Sequence, residues 1–484
     1  MQYVKLQRCT NAMEITKADK KERKKKRNRV AVHLLPWVTA VAMFIQSLDG
    51  TILNTSLPSI ARDMDYSPTE MHSVIVTYAL TLALFIPLSG WLADKFGTRT
   101  MFIIAVSLFV AGSLCCALSV DLITFNLSRV LQAIGASMMV PVARLAILYQ
   151  YPKSRLLKTM NFITVFGLLG MVVGPSLGGF LSDKLSWHWI FLVNVPIGII
   201  GISMAKRIMP NFKRAVGRFD FRGLMYFSLA LISITMVLEL IGSGLTHWIM
   251  ILGGLLIFNL LAVFYYIHYK KTEKPIIDLR LLNIKTLKIG LTGSLVTRLG
   301  IGGLPLLLPL MLQTGFGYSA SVAGLLLLPS ALANVAIKPF MVRIIKALGY
   351  RTVLISNTIL LGVVLVILGF VEKETPLAYY ILLMIFYGFF TSIQMSAMNT
   401  ITLVDLDENT KSGGNTMLVI MQQLSVSFGV SVASLLLSFF QSDAFEMNRT
   451  QPYHYTFIVL AAFTIFSSLI FSKLGKTDGS NYIQ

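Results

Sequence analysis

Residues 20–58 read KKERKKKRNRVAVHLLPWVTAVAMFIQSLDGTILNTSLP. A densely basic run ends at Arg29, and an apolar run from Leu35 to Pro58 follows, broken by a single ionisable side chain, Asp49. At 1.5 Å per residue the apolar run is about 36 Å long as a helix, enough to cross a hydrocarbon core about 30 Å thick. A lone strand there would leave its backbone polar groups unpaired in lipid, so the run must be helical. A basic stretch abutting a span faces the anionic cytoplasmic leaflet, which favours a membrane-surface role for the tail over nucleic-acid binding. The span is too long for a cleavable signal, and no small-residue cleavage site follows it.

The rest of the chain repeats that reading. Of 484 residues, 55% are hydrophobic and 13% charged, about half the charge of a soluble globule. A soluble multidomain enzyme and a disordered chain are excluded on those grounds. Three cysteines, Cys9, Cys115 and Cys116, are too few for a disulfide scaffold, and the adjacent pair reads as small apolar packing groups. Runs suited to crossing lie near 35–58, 71–92, 101–120, 122–149, 157–181 and 187–205, then 223–242 and 248–268. Six more lie near 288–312, 320–341, 352–371, 377–399, 413–439 and 453–472. The expected architecture is an all-α polytopic membrane protein of fourteen spans.

Charge sets the orientation. With the N-terminus inside, four of the 42 Lys and Arg fall outside (Arg62, Lys184, Lys373, Arg449) and four within spans (Arg129, Arg144, Arg298, Lys338). All the others are cytoplasmic, so both termini are expected inside. Residues 1–33 carry +8 of the net +20. The loops 206–222 and 270–288 are also basic, and they flank spans seven and eight as if two helices had been inserted between two six-helix halves. The expected division is a basic tail 1–33, a first half 34–205, a linker with two spans 206–287, a second half 288–473 and a tail 474–484. Phe96-Gly97-Thr98-Arg99-Thr100 is echoed by Leu348-Gly349-Tyr350-Arg351-Thr352, and repeated halves are typical of secondary transporters.

Charges inside hydrocarbon are functional candidates. Asp49 lies about 21 Å from the inner face and Arg129 about 10 Å from the outer, so in a core of about 30 Å their depths coincide. The expectation is one polar cavity in which the two are coupled by direct or water-mediated hydrogen bonds. Burial favours the neutral acid and a guanidinium favours the carboxylate, so a group held between them loads and releases a proton; a static pair fixing helix packing is the alternative. Arg298 sits near mid-depth in the ninth span, available to an anionic group, to a carboxylate of the other half, or to a structural partner. Glu239 lies toward the outer end of span seven, within reach of interfacial water. Lys338 and Arg144 snorkel. Gly170, Gly174 and Gly178 form a small-residue face on span five, beside Pro175 and Gly179. Asn54, Gln132, Gln394 and Gln422 are further cavity candidates, with Asn399 and Gln423 adding polarity; interhelical bonding is the alternative for the polar residues of spans twelve and thirteen.

Other chemistries lack their residues. Gly475-Lys476-Thr477 resembles the end of a phosphate loop, but Ile470 stands where its leading Gly is required. The six His show no metal-ligand spacing, so neither cofactor nor metal is expected. Asn448-Arg449-Thr450 is a glycosylation sequon, meaningful only in a eukaryotic secretory pathway.

The motifs resemble the major facilitator superfamily, and within it the fourteen-span drug:proton antiporters of the EmrB/QacA type, closest to bacterial MdtD/HsrA-like members. The resemblance runs from about residue 34 to 475. It rests on Leu48-Asp49-Gly50-Thr51-Ile52-Leu53-Asn54-Thr55-Ser56-Leu57-Pro58, on Gly90-Trp91-Leu92-Ala93-Asp94-Lys95-Phe96-Gly97-Thr98-Arg99, and on Arg129-Val130-Leu131-Gln132-Ala133-Ile134-Gly135. Gly170 through Gly179 and Trp187-His188-Trp189-Ile190-Phe191-Leu192-Val193-Asn194-Val195-Pro196 complete it. The resemblance implies that Asp49 and Arg129 are the proton-linked pair. It implies that Gly90, Asp94, Gly97 and Arg99 form a cytoplasmic gate in which Asp94, with Arg99, latches the halves. The Gly170, Gly174, Pro175, Gly178 and Gly179 face would seal the outside-closed state. Ala133 replaces a usual Gly, and Lys346 stands where the first half has Asp94, which makes the latch one-sided.

The expectation is a non-enzymatic, proton-coupled antiporter of the bacterial inner membrane, exporting small amphipathic or cationic compounds by alternating access. It would act as a monomer among membrane lipids, with protons and a small-molecule substrate as partners and no nucleic acid. An exporter of an endogenous metabolite or amino-acid derivative, a uniporter or channel, and a non-transporting sensor on the same fold are the alternatives.

Overall fold

The computed structural model of the chain describes residues 34–242, 248–273, 275–407, 410–442, 448–475 and 478–479. The basic tail 1–33 and the Lys476-Thr477 pair lie outside the described residues. Helix α1 spans 34–63. It is followed by α2 (His72–Phe96), α3 (Thr98–Ala117), α4 (Leu122–Gln150) and α5 (Lys153–Lys184). A short α6 (Trp189–Leu192) leads into α7 (Asn194–Ile208), and then come α8 (Phe221–Gly242) and α9 (Trp248–Lys271). The second half runs α10 (Lys285–Ile301), α11 (Leu304–Leu310), α12 (Ala320–Ala336), α13 (Met341–Leu368), α14 (Leu377–Leu403), α15 (Lys411–Phe440) and α16 (Gln451–Phe471).

Among the described residues, 12 helical runs are long and apolar enough to cross a membrane. The chain is therefore an all-helical, multi-pass membrane protein. One of those runs, Ala320–Leu368, has 49 residues, about 74 Å of helix and more than twice the hydrocarbon core. It is broken at Gly349, whose φ of 74° and ψ of 156° are non-helical. Gly97 does the same between α2 and α3 with φ 102° and ψ 142°. The two glycines of the echoed loops thus make the same left-handed joint, where a Cβ is disfavoured.

Helices α1–α7 and α10–α16 pack as two bundles. In the first, α4 lies against α2 and α3, and α3 against α7; in the second, α16 lies against α10 and α13, and α14 against α13. The bundles meet through α5 on α12 and α2 on α15. Helices α8 and α9 pack along each other, with α8 touching α15 and α2. About a tenth of the α9 crossing segment is buried, so lipid surrounds it on most sides.

The core is asymmetric along the bundle axis. At the end away from the basic loops, a single buried cluster joins Leu48, Leu57 and Val74 of the first bundle to Leu304, Leu365, Tyr380 and Leu460 of the second. At the basic-loop end each bundle has its own cluster, one around Val38, Phe102 and Ala143 and another around Met341, Val353 and Met398, and a smaller one joins Ala83 of α2 to Leu287, Leu291 and Leu418 of the second bundle and to Leu231 of α8 and Tyr265 of α9. The close packing whose dispersion attraction holds the halves together in lipid is therefore most extensive at one end.

The two motif glycines of the α2–α3 joint separate in a stability measurement. Asn211 occupies the space a Cβ on Gly97 would need, while a Cβ on Gly90 meets nothing within 4 Å. Gly97→Val should lower the melting temperature of the purified protein by several degrees, since the left-handed backbone alone costs about 1–2 kcal/mol. Gly90→Ala should leave it unchanged or raise it slightly, since Ala favours helix by about 0.5–1 kcal/mol.

Candidate functional site

Asp49 and Arg129 are 1% and 2% exposed, and Arg129 Nη1 donates to Asp49 Oδ2 at 3.1 Å. The other carboxylate oxygen, Oδ1, accepts from Gln132 Nε2 at 2.8 Å and from Asn194 Nδ2 at 3.1 Å. Gln132 sits one helical turn beyond Arg129, so both side chains leave the same face of α4. Its Oε1 accepts a second hydrogen bond from Arg129, and its Nε2 also donates to Ser113 Oγ at 2.8 Å. The guanidinium carbon lies 4.1 Å from the centroid of the Tyr78 ring, an arrangement that stabilises a cation. Helices α1, α4 and α7 thus meet at one carboxylate, with α2 and α3 joined to it through Arg129 and Gln132. Desolvating an ion pair is repaid only when the remaining lone pairs and protons are also satisfied; Gln132 and Asn194 do this for the carboxylate, while Arg129 Nε is buried with no partner among the described residues.

Two cavities adjoin this cluster. The first, about 600 Å³, is lined by Arg129, Tyr78, Gln46, Asn54 and Gln423. Arg129 therefore forms part of a wall, while Asp49 stands one layer behind it. The second, about 860 Å³, lies between the halves, with α1 and α5 on one side and α11, α12 and α14 on the other. Its polar lining is Thr51, Asn54, Ser330, Asn334, Tyr387 and Thr391, and the remainder is aliphatic apart from Gly388. Asn54 borders both.

Of the cavity residues expected from sequence, Asn54 and Gln423 line these spaces and the others are engaged elsewhere. Gln132 belongs to the carboxylate cluster. Gln394 accepts from Asn357 and donates to Thr358, both at 2.8 Å, which ties α14 to α13. Gln422 donates to Asn399 at 2.8 Å. Arg298 donates from Nε to Ser294 Oγ at 3.1 Å and has no carboxylate partner among the described residues. Glu239 pairs with His72 at 3.0 Å, joining α8 to the start of α2. Sequence reading missed Asn194, Asn334, Ser330 and Thr391. Asn194 alone carried a signal, as an amide in the quoted stretch at the head of a span.

The small-residue face of α5 divides between two partners. Gly170, Gly174 and Gly178 face α1, where a Cβ would meet Phe44, Thr51 and Ile52 respectively. Gly179 faces the Ala320 backbone of α12, and the Pro175 carbonyl occupies the space beside Gly324. Across the halves, Ser176 Oγ donates to the Gly324 carbonyl at 3.2 Å and Gln313 Nε2 to the Thr55 carbonyl at 2.8 Å. Asp183 accepts the Ala320 and Ser321 N–H groups at 3.1 and 2.6 Å, placing a carboxylate of one half on the N-terminus of a helix of the other. All these bonds lie at the end away from the basic loops.

At the basic-loop end the expected latch has a different partner. Asp94 Oδ1 accepts from the Tyr149 hydroxyl of α4 at 2.8 Å, and its carbonyl accepts from Arg214 N at 2.9 Å, so the residue is held within its own half. Arg99 engages Asn211 through its backbone N–H at 3.0 Å, and its side chain is exposed. The reason is geometric: the halves are joined at the opposite end, and a latch at this end is released in that arrangement. Gly90 lies on an open helix face.

Two helical bundles joined at one end, with a buried charge pair and a cavity between them, define a membrane transporter of small molecules. The model for the Major Facilitator Superfamily matches residues 39–272 and 290–481, and the chain belongs to that family. It is 39% identical over 450 residues to the putative multidrug resistance protein MdtD of Pectobacterium carotovorum, covering 92% of this chain and 97% of the relative. It is 40% identical over 457 residues to the probable transport protein HsrA of Haemophilus influenzae, with 92% and 97% covered. Among solved structures, the D-xylose–proton symporter superposes with a TM-score of 0.66 at 13% identity, covering 93% of this chain and 99% of that one. The POT family transporter PepTSo gives 0.67 at 13%, with 91% and 97% covered. At such identities the structures establish the fold.

Weakening the α5–α12 seam should shift the protein toward separation at that end. Asp183→Asn leaves one acceptor oxygen for two backbone N–H donors, weakening one charge-assisted hydrogen bond and losing the other, a loss of at least about 1 kcal/mol, and should raise the separated population at least roughly fivefold. Gly179→Leu drives a side chain into the Ala320 backbone and should shift it further. Spin labels at Arg62 and Lys373 report the change as a longer inter-label distance; unchanged distances in both variants would refute the seam's role.

Proposed function

We propose that this chain is a proton-coupled exporter of small amphipathic compounds in a bacterial inner membrane, working by alternating access as a monomer. The observation that carries the proposal is the Asp49–Arg129 ion pair, dry and mid-membrane beside a cavity. We further propose fourteen crossings. Helix α1 adds one to the 12 runs, and the break at Gly349 divides the 49-residue run into two. The units are then the cytoplasmic tail 1–33, the halves 34–205 and 288–473, a two-helix linker 206–287, and the tail 474–484. The basic loops place both termini in the cytoplasm.

The residues act as follows. With the halves joined on the outer side, Asp49 is held as a carboxylate by Arg129, Gln132 and Asn194. Once the outer seam has opened, a proton arriving from outside neutralises Asp49 and removes the counter-ion of Arg129. The guanidinium then turns toward the cavity that it already borders, and its stacking on Tyr78 changes with it. Because α1, α2, α4 and α7 all contribute to the cluster, that local change is transmitted to the α5–α1 and α2–α15 packing. Cargo entering from the cytoplasm restores the ion pair as the proton leaves inward. The relatives named for multidrug resistance support a lipophilic cargo, and so does the aliphatic lining of the larger cavity. That lining disfavours a zwitterionic amino-acid derivative.

The test is transport in proteoliposomes under an imposed pH gradient, with cargo classes compared side by side. Wild-type protein should accumulate its cargo against a gradient and move protons in the opposite direction. Asp49→Asn should abolish coupling, at least 100-fold, while inserting normally. Arg129→Leu should do the same, since it removes the counter-ion that Asp49 pairs with. Normal pumping by Asp49→Asn would overturn the proposal.

A further inference from the structure

We infer that the larger cavity takes an uncharged amphipathic molecule rather than an organic cation, an inference that rests on the export reading above. The first observation is its lining, whose polar atoms belong to amides, hydroxyls and backbone, with no Asp, Glu, Lys, Arg or His. Asn54 and Asn334 each offer both a donor and an acceptor, and Thr51, Ser330 and Thr391 add hydroxyls, a set suited to a neutral polar group such as an amide. The second is that Asp49, the carboxylate near mid-depth, is 1% exposed with both oxygens occupied. It is absent from the cavity wall. No Asp or Glu occurs in α10 through α16, so the second half offers no acid near mid-depth.

The third observation has the opposite sign. Arg298 lies about 20 Å along α10 from its basic-loop end, close to the depth of Asp49. Its Nε donates to the neutral Ser294 hydroxyl, and no carboxylate pairs with it among the described residues. Arg298 lines neither cavity, so its positive field reaches the cargo space through intervening protein of low dielectric. A cationic cargo would lose its hydration shell there with no opposite charge to replace it, whereas a neutral cargo loses little and gains the aliphatic walls.

An electrical consequence follows from charge balance. Exchanging protons inward for a neutral molecule outward moves net positive charge inward, so an inside-negative potential alone drives export. One-for-one exchange of a proton for a monovalent cation moves no net charge and ignores the potential.

Both predictions are tested with the full-length chain in proteoliposomes, using tritiated N-(1-naphthyl)acetamide and (1-naphthyl)trimethylammonium, which share a ring system and differ in charge. Wild-type protein is expected to export the amide at least tenfold faster than the cation. A potassium–valinomycin potential, with equal pH on both sides, should drive the amide. Asn334→Asp places a carboxylate on the wall and should raise cation transport at least tenfold. If Asn334→Asp does not fold, the wild-type pair and the potential decide the matter alone. Preference for the cation, or amide transport that follows the pH gradient and ignores the potential, overturns the inference while leaving export intact. Failure of both probes and of the wider cargo classes under a pH gradient would overturn export itself, and this inference with it.

Discussion

An ion pair in hydrocarbon is the constraint around which this structure is organised. Asp49 and Arg129 each carry a desolvation cost at that depth which the other offsets, and breaking such a pair by removing one partner typically costs about 3–5 kcal/mol. Gln132, Asn194 and the Tyr78 face complete the enclosure, and each comes from a helix that must hold its rotation and depth to do so. Packing, polarity and charge are therefore coupled at one point. A change in the protonation of one atom alters the balance for all the helices joined there.

The seam between the halves is built on different physics. Gly179 and Gly324 let backbones approach closely, and the Pro175 carbonyl, which accepts from Thr55 Oγ1 at 2.9 Å, lies against Gly324 of the partner helix. In lipid, where no hydrophobic force draws helices together, close contact and hydrogen bonding supply the attraction. Asp183 adds charge by capping α12 from the opposite half. Such contacts are numerous and individually weak, which suits an interface that must open. At the basic-loop end, Asp94 and Arg99 are occupied within their own half, so the two ends differ in kind as well as in separation.

The separation of the charge pair from the larger cavity bears on coupling. Asn54 is the side chain common to the walls of both spaces, one turn and a little more beyond Asp49 on α1. Cargo and proton need not share an atom to be linked, because a ligand shifts an equilibrium through its differential affinity for two states. Helix α1, carrying Asp49 on one face and Thr51 and Asn54 toward the cavities, is the physical connection.

Much of this was legible in the chain itself. Lipid imposes one rule on every crossing segment, so apolar runs and basic loops disclose helices and their order without knowledge of contacts. The coincidence of depth between Asp49 and Arg129 follows from rise per residue, and the short echo around Gly97 and Gly349 marked the equivalent joints. What required tertiary structure was every choice that depends on rotation about a helix axis. Gln394 and Gln422 looked as fit for a cavity as Asn334 and Thr391, yet the former bind neighbouring helices and the latter face open space. Asn194 reaches Asp49 from 145 positions away, and Asp94 turns to Tyr149 because the halves meet at the other end. Linear sequence fixes depth, since depth adds up residue by residue; facing is decided by which helices pack together, and that is settled only when the whole bundle closes.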